Sequence, residues 1–188
     1  LQNKLILNSA AEGILGLDLQ GNHTIVNPAA AKMLGYEVEA LLGQRSHGLW
    51  HHTKPDGSPY PEGECQIYAA FREKTMHRVS DEVFWRKDGT SFPVEYTSTP
   101  LYEQGRVAGA VVIFFDITER KRAEENLARL NQKNELILNS SAEGILGLDL
   151  QGNHTFVNPA AAKMLGYEPA ELLGRHSHST WHYKKVDG

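Results

Sequence analysis

The sequence predicts an α+β fold built on antiparallel strands, and three observations carry that reading. Apolar residues alternate with period two over 13 to 19, 77 to 86 and 92 to 98, and turn signals add a short return strand near the start and a third, wholly apolar segment up to 115. Helical stretches with their own start and stop signals stand between the two groups. Residues 134 to 188 repeat residues 3 to 57 with roughly three-quarters of the positions identical, a period too long for a solenoid and therefore a tandem duplication of a domain-sized unit. One module of about 115 residues is large enough for its own core. The expected organisation is a complete domain over 1–118, a linker helix over 119–140 and the N-terminal half of a second domain over 141–188. On that reading the chain is a fragment of something longer.

In order along the first copy, Leu15, Leu17 and Leu19 alternate with Gly16 and Asp18, the turn chemistry of Gln20-Gly21-Asn22 follows, and 23 to 26 closes a hairpin. Asn27-Pro28 reads as N-cap and first helical residue for a helix to Leu34, with Gly35 where a left-handed C-cap is wanted. A short helix is expected around 39 to 42. Between 46 and 63 the density of His, Pro and Gly argues against regular structure, until a helix over 64 to 73 places Ile67 and Phe71 on one face.

The remainder reads as strand. Val79, Asp81, Val83 and Trp85 alternate over 77 to 86, Asp88-Gly89 signals a hairpin, and Phe92, Val94, Tyr96 and Ser98 alternate next. Gly105 then turns into 107 to 115, apolar on both faces and so expected to be covered on both sides. In the charged helix over 119 to 140, Ala123, Leu127, Leu130, Asn134 and Ile137 follow a 4-3-4-3 spacing, a coiled-coil seam with one polar a-type position; a solvated connecting helix is the plainer alternative.

Composition is that of a soluble globular protein, and a net charge of −4 gives no basic footprint for nucleic acid. Cys65 is the single cysteine, so no intrachain disulfide forms, in keeping with a reducing compartment. No apolar run approaches the roughly 20 residues needed to span a bilayer, and no cleavable signal pattern opens the chain. The segment reads as cytoplasmic without direct membrane contact, which leaves an anchor elsewhere in a longer parent open.

Three stretches, GILGLDLQGNHTIVNPAAAKMLGY at 13 to 36, EVFWRKDGTSFPVEY at 82 to 96 and GAVVIFFDITERKRAE at 109 to 124, resemble the PAS domain family, over residues 5 to 118 as a whole module and 136 to 188 as its first half. The resemblance implies a five-stranded antiparallel sheet with short helices on one face around a small cavity. It also implies a sensory or dimerising input of a signal-transduction protein, such as a histidine kinase or a cyclic-dinucleotide enzyme, that signals through its C-terminal helix. Asp116-Ile117-Thr118 looks like the family's signal junction, where Asp116 or Thr118 caps the exit helix and Arg120 is placed to pair with Asp116. No catalytic motif appears: Asp18, Asp56, Glu62 and Glu64 are scattered over turns and loops. The segment is therefore expected to be non-catalytic, whatever its parent does.

His47, His51, His52 and Cys65, echoed by His178 and His182, form the most conspicuous polar group. Imidazole and thiolate are zinc ligands, and imidazole also ligates haem. Against a metal site, no Cys-x-x-Cys pair is present, Tyr183 replaces His52 in the second copy, and adjacent His51 and His52 point apart in an extended segment. Hydrogen bonds within the loop are the expected role. Cys65 in GECQIY does not match the covalent flavin motif of light-sensing relatives, although Trp50, Trp85 and Tyr96 could flank a noncovalent flavin. The cofactor is thus left unknown, with haem and flavin open. The residues expected to face the cavity are Tyr36, Trp50, Ile67, Phe71, Val83, Trp85, Val94, Tyr96 and Ser98; a closed apolar core without ligand is the competing reading. The partner expected is a second copy, by coiled coil or by exchange of the nearly identical halves, with a small-molecule ligand open and no nucleic acid.

Overall fold

Asn27 shows how local chemistry sets the first elements. Its side chain accepts from Ala30 N, Pro28 supplies the first helical residue, and Gly35 ends the helix at φ 75° with its N–H returned to Ala31 and Lys32 carbonyls. The same asparagine accepts from Ile14 N and donates to the carbonyls of Leu7 and Glu12, so one buried amide ties the cap to the strand before it. The computed structural model describes residues 2–181, in two compact units, Leu1–Arg122 and Ala123–Gly188.

The first unit runs α1 (Gln2–Ser9), β1 (Gly13–Asp18), β2 (His23–Val26), α2 (Pro28–Leu34), α3 (Val38–Leu41), α4 (Ser46–Trp50), a 3₁₀ turn (Glu62–Glu64), α5 (Gln66–Glu73), β3 (His77–Trp85), β4 (Ser91–Glu103) and β5 (Arg106–Asp116). The helix α6 (Thr118–Ser140) follows. The five strands form one antiparallel sheet in the order β2-β1-β5-β4-β3. Register puts Leu15, Leu17, Phe92, Val94, Tyr96, Ser98, Val112 and Phe114 on one face, all buried. They meet Leu34, Trp50, Ile67 and Tyr68 from the helical layer, each large apolar side chain contributing about 1.5–3 kcal/mol by leaving water.

Three expectations are corrected. The 46 to 63 stretch contains α4, whose one turn puts His47 and His51 four residues apart on the same side. In β3 the pairing slips between Val79 and Glu82, an irregularity that reverses the alternation after it: Glu82 and Phe84 follow Val79 onto the inner face opposite Val94 and Phe92, and Val83 and Trp85 turn outward. Among the described residues β5 is packed mainly on its inner face; Ile113 and Phe115 on the other side remain 39% and 45% exposed, and an antiparallel sheet tolerates one wet side.

The second unit repeats the opening chemistry in β6 (Leu146–Leu148), β7 (His154–Val157), α7 (Pro159–Leu165), α8 (Pro169–Leu172) and α9 (Ser177–Thr180). Asn158 caps α7 as Asn27 caps α2, and Trp181 donates to His154 Nε2 at 2.8 Å as Trp50 donates to His23 Nε2 at 2.9 Å. Its sheet has two strands, and Leu148 is 49% exposed where its counterpart Leu17 is 1% exposed under β5. His182 and Tyr183 lie outside the described residues. No described helix is long and apolar enough to cross a membrane.

Candidate functional site

Four elements bring a chain of polar side chains into the layer between helices and sheet. The C-cap of α4 delivers His51, the residue before α5 delivers Cys65, the slipped half of β3 delivers Glu82, and β4 delivers Tyr96. Glu82 accepts from three of them or their neighbours: His51 Nε2 at 2.7 Å and Tyr96 OH at 2.7 Å on one oxygen, Tyr60 OH at 2.7 Å on the other. Burial works to raise the Glu82 carboxyl, but these hydrogen bonds outweigh it and hold the group below the usual glutamate range. Burial lowers the His51 imidazole and raises the Tyr60 and Tyr96 phenols. Burial thus favours the neutral form of His51, in which its contact with Glu82 is a charge-assisted hydrogen bond.

The tautomer follows. A carboxylate only accepts, so His51 Nε2 carries the proton and Nδ1 is bare; Cys65 Sγ, 3.3 Å away, donates its S–H to it. Burial pushes the Cys65 thiol up to about 11, which suits a donor thiol. His47, one turn earlier on α4, donates Nε2–H to the Tyr60 carbonyl at 2.8 Å. Its Nδ1 is buried without a hydrogen-bond partner among the described residues.

Tyr60 and Glu82 also reach the surface, where with Thr53, Lys54, Glu64, Gln66 and Val83 they line a cleft of about 430 Å³. The cleft thus offers a carboxylate and a phenol at its floor and a Lys54–Glu64 ion pair of 2.8 Å at its rim. Of the residues expected to line a cavity, Trp50, Ile67, Val94, Tyr96 and Ser98 are buried together in the core, and Tyr36 and Phe71 pack against it. Ser98 spends its hydroxyl on the Ile67 carbonyl. Val83 faces the cleft instead, and Trp85 stacks on His52 while donating to the Thr53 carbonyl at 2.9 Å. His51 is buried and His52 exposed, so the two do point apart. Glu82 and Tyr60 were absent from the sequence-derived set; the strand irregularity concealed the first, and nothing local marks the second.

At the end of β5, Asp116 Oδ1 accepts from Thr118 N at 2.9 Å and from the Thr118 hydroxyl. Its other oxygen meets Arg86 Nη2 at 2.8 Å. The cation on Asp116 is thus Arg86, supplied by the β3–β4 hairpin, where sequence spacing had favoured Arg120; Arg120 reaches Glu95 at 2.8 Å. Arg86 in addition donates to the Met33 carbonyl at 3.1 Å and lies over the Phe92 ring. Ile117 N donates to the Pro93 carbonyl, a second tie from sheet to helix.

A five-stranded antiparallel sheet in this order, helices on one face and an exit helix define the class of domain, and the PAS fold family matches residues 1–117 and again 132–186. The chain belongs to the PAS fold family. It is 29% identical over 131 residues to the signal transduction histidine-protein kinase AtoS of Escherichia coli (strain K12), covering 68% of this chain and 20% of AtoS. It is 30% identical over 125 residues to the probable diguanylate cyclase DgcE of the same organism, covering 66% of this chain and 11% of that protein. The crystal structure of a PAS domain from Colwellia psychrerythraea matches with a TM-score of 0.52 at 23% identity, covering 63% of this chain and 96% of the other, which shows the fold alone. The chain spans a fifth or less of the length of these two curated relatives.

Proposed function

We propose that the first unit is a sensory input that takes a small polar ligand in the cleft above Glu82 and passes its occupancy to α6, without chemistry of its own. One observation carries the reading: Glu82 and Arg86 stand four residues apart on the same strand and its turn, one at the floor of the cleft and the other on the Asp116 carboxylate that caps α6. A ligand that draws on the Glu82 carboxylate competes with three donors, and any shift of β3 reaches the junction through Arg86. The relatives in a histidine kinase and a diguanylate cyclase make an output of that kind the natural place for such an input. Mass spectrometry of the denatured extract, with a visible absorption spectrum for haem or flavin, tests the ligand: a stoichiometric small molecule supports the reading. A ligand that binds Glu82→Gln protein as tightly as wild type contradicts it.

Dimerisation through α6 is the second part. Leu127, Leu130 and Ile137 are exposed along one side of that helix, the stripe a two-stranded coiled coil would cover. The open face marked by Leu148 favours exchange or edge pairing as the alternative route. A ligand-free interaction module remains the competing class, favoured by the aromatic filling of the core by Trp50, Phe84, Phe92, Tyr96 and Phe114. Light scattering over a hundredfold concentration range separates these: a dimer lost on Leu127→Glu/Leu130→Glu substitution supports the seam, and a concentration-independent monomer with a protease-sensitive second unit contradicts both routes.

A further inference from the structure

We infer that His47, His51 and Cys65 form a binding site for a borderline-soft divalent cation of the zinc type, set behind the cleft rather than in it. One ligating atom from each residue lies within 4.8 Å of the other two, and all three residues are buried. The Cys65 Sγ to His51 Nδ1 separation of 3.3 Å is already close to the roughly 3.5 Å that two such donors span across a tetrahedral zinc ion. The widest of the three separations, up to 4.8 Å, exceeds that tetrahedral span by about 1.3–1.5 Å, a movement that binding would have to supply.

The independent observation is His47. The residue is 7% exposed, its Nε2–H is committed to the Tyr60 carbonyl, and the lone pair on Nδ1 faces the interior without a donor. A buried acceptor left in that state points to a partner that is not a side chain of the described residues. Water would need further polar partners, whereas a cation would find two, His51 Nδ1 and Cys65 Sγ, already grouped.

The surroundings fit a dication. Glu82 fixes the His51 tautomer through Nε2 and leaves Nδ1 free to ligate, the carboxylate–histidine support common behind metal-bound imidazole. On binding, the Cys65 proton leaves to solvent, the S–H bond to His51 is lost, and both lone pairs turn to the ion. Burial alone favours the neutral thiol; a 2+ ion balances one thiolate and the Glu82 carboxylate without excess charge. Three protein ligands leave a fourth position for water or an incoming ligand. Exposed His52 has no place in the set.

Cobalt(II) titration of the whole purified chain, followed by zinc(II) competition, tests the site. Wild type is expected to take one cobalt with a thiolate-to-metal band in the near ultraviolet and visible bands of tetrahedral intensity, both abolished by one equivalent of zinc. Cys65→Ser should lose the thiolate band and bind at least tenfold more weakly, His47→Asn should weaken binding comparably while retaining the band, and His52→Ala should match wild type. Because a buried substitution can disturb folding, circular dichroism accompanies each variant, and zinc-dependent elevation of the wild-type melting temperature provides a readout without any variant. No thiolate band in folded wild type with saturating cobalt, or equal affinity in folded Cys65→Ser, overturns the assignment. Neither result bears on whether a small ligand occupies the cleft, which is read by Glu82→Gln binding.

Discussion

Arg86 and Asp116 meet at 2.8 Å across the sheet, and the same carboxylate holds the first residue of α6 through its other oxygen. One side chain therefore joins the β3–β4 hairpin to the exit helix. Deleting it removes a cap and a half-buried ion pair together. Replacement of Asp116 by Ala is expected to cost about 1–2 kcal/mol, measured by urea denaturation, and to uncouple the response of a full-length parent. A parent that responds as before would deny the junction its role.

Tyr96→Phe removes one hydroxyl from the Glu82 carboxylate while keeping the ring in the core. A hydrogen bond to a charged group contributes about 1.5–3 kcal/mol, so a loss of about 2 kcal/mol is expected. Tyr102→Phe, at an exposed position, should change stability by less than about 0.5 kcal/mol. Equal urea midpoints for the two variants would show that the carboxylate network carries no stability.

Asn27 makes four hydrogen bonds from a buried position. Asn27→Ala is expected to cost about 2 kcal/mol, the upper end for a helix cap, since two carbonyls also lose their donor. Asn158 repeats the arrangement, so Asn158→Ala should loosen the second unit and leave the urea midpoint of the first unchanged. Amide exchange resolved by segment reads both.

His23 is one of the groups that make stability fall in acid. Burial lowers its imidazole, and Nε2 must stay bare to accept the Trp50 N–H at 2.9 Å. A folded value below the ordinary 6.5 means that unfolding takes up a proton at pH below 6.5. Stability from this group is therefore complete above pH 6.5 and declines as pH falls through the folded value. The difference in unfolding free energy between wild type and His23→Gln should be constant from pH 7 to 8 and shrink from pH 6.5 downward; a difference that grows on acidification would reverse the assignment.

Much of this architecture is legible in local chemistry. Asn27, Pro28 and Gly35 bracket α2 because capping, fixed φ and a left-handed C-cap are short-range requirements, and alternation together with turn chemistry finds the strands of the first unit. What escapes is non-local. The β3 irregularity arises from pairing with β4, so alternation in the sequence put Val83 and Trp85 inside and left Glu82 out. α4 is too short for periodicity to outweigh Gly and His composition, although the four-residue spacing of His47 and His51 was a usable signal. Arg86 reaches Asp116 from 30 residues away, and nothing in spacing could prefer it to Arg120, which is four residues from Asp116 in the chain.

Coupling from cleft to helix is the claim on which the sensory reading rests, and hydrogen exchange of Glu82→Gln, Arg86→Ala and the double variant measures it. Exchange in the first turn of α6 is expected to be faster in Glu82→Gln, faster still in Arg86→Ala, and no faster again when Glu82→Gln is added to Arg86→Ala. Unchanged protection of residues 119–122 in folded Glu82→Gln protein, or strictly additive effects in the double variant, would contradict that coupling.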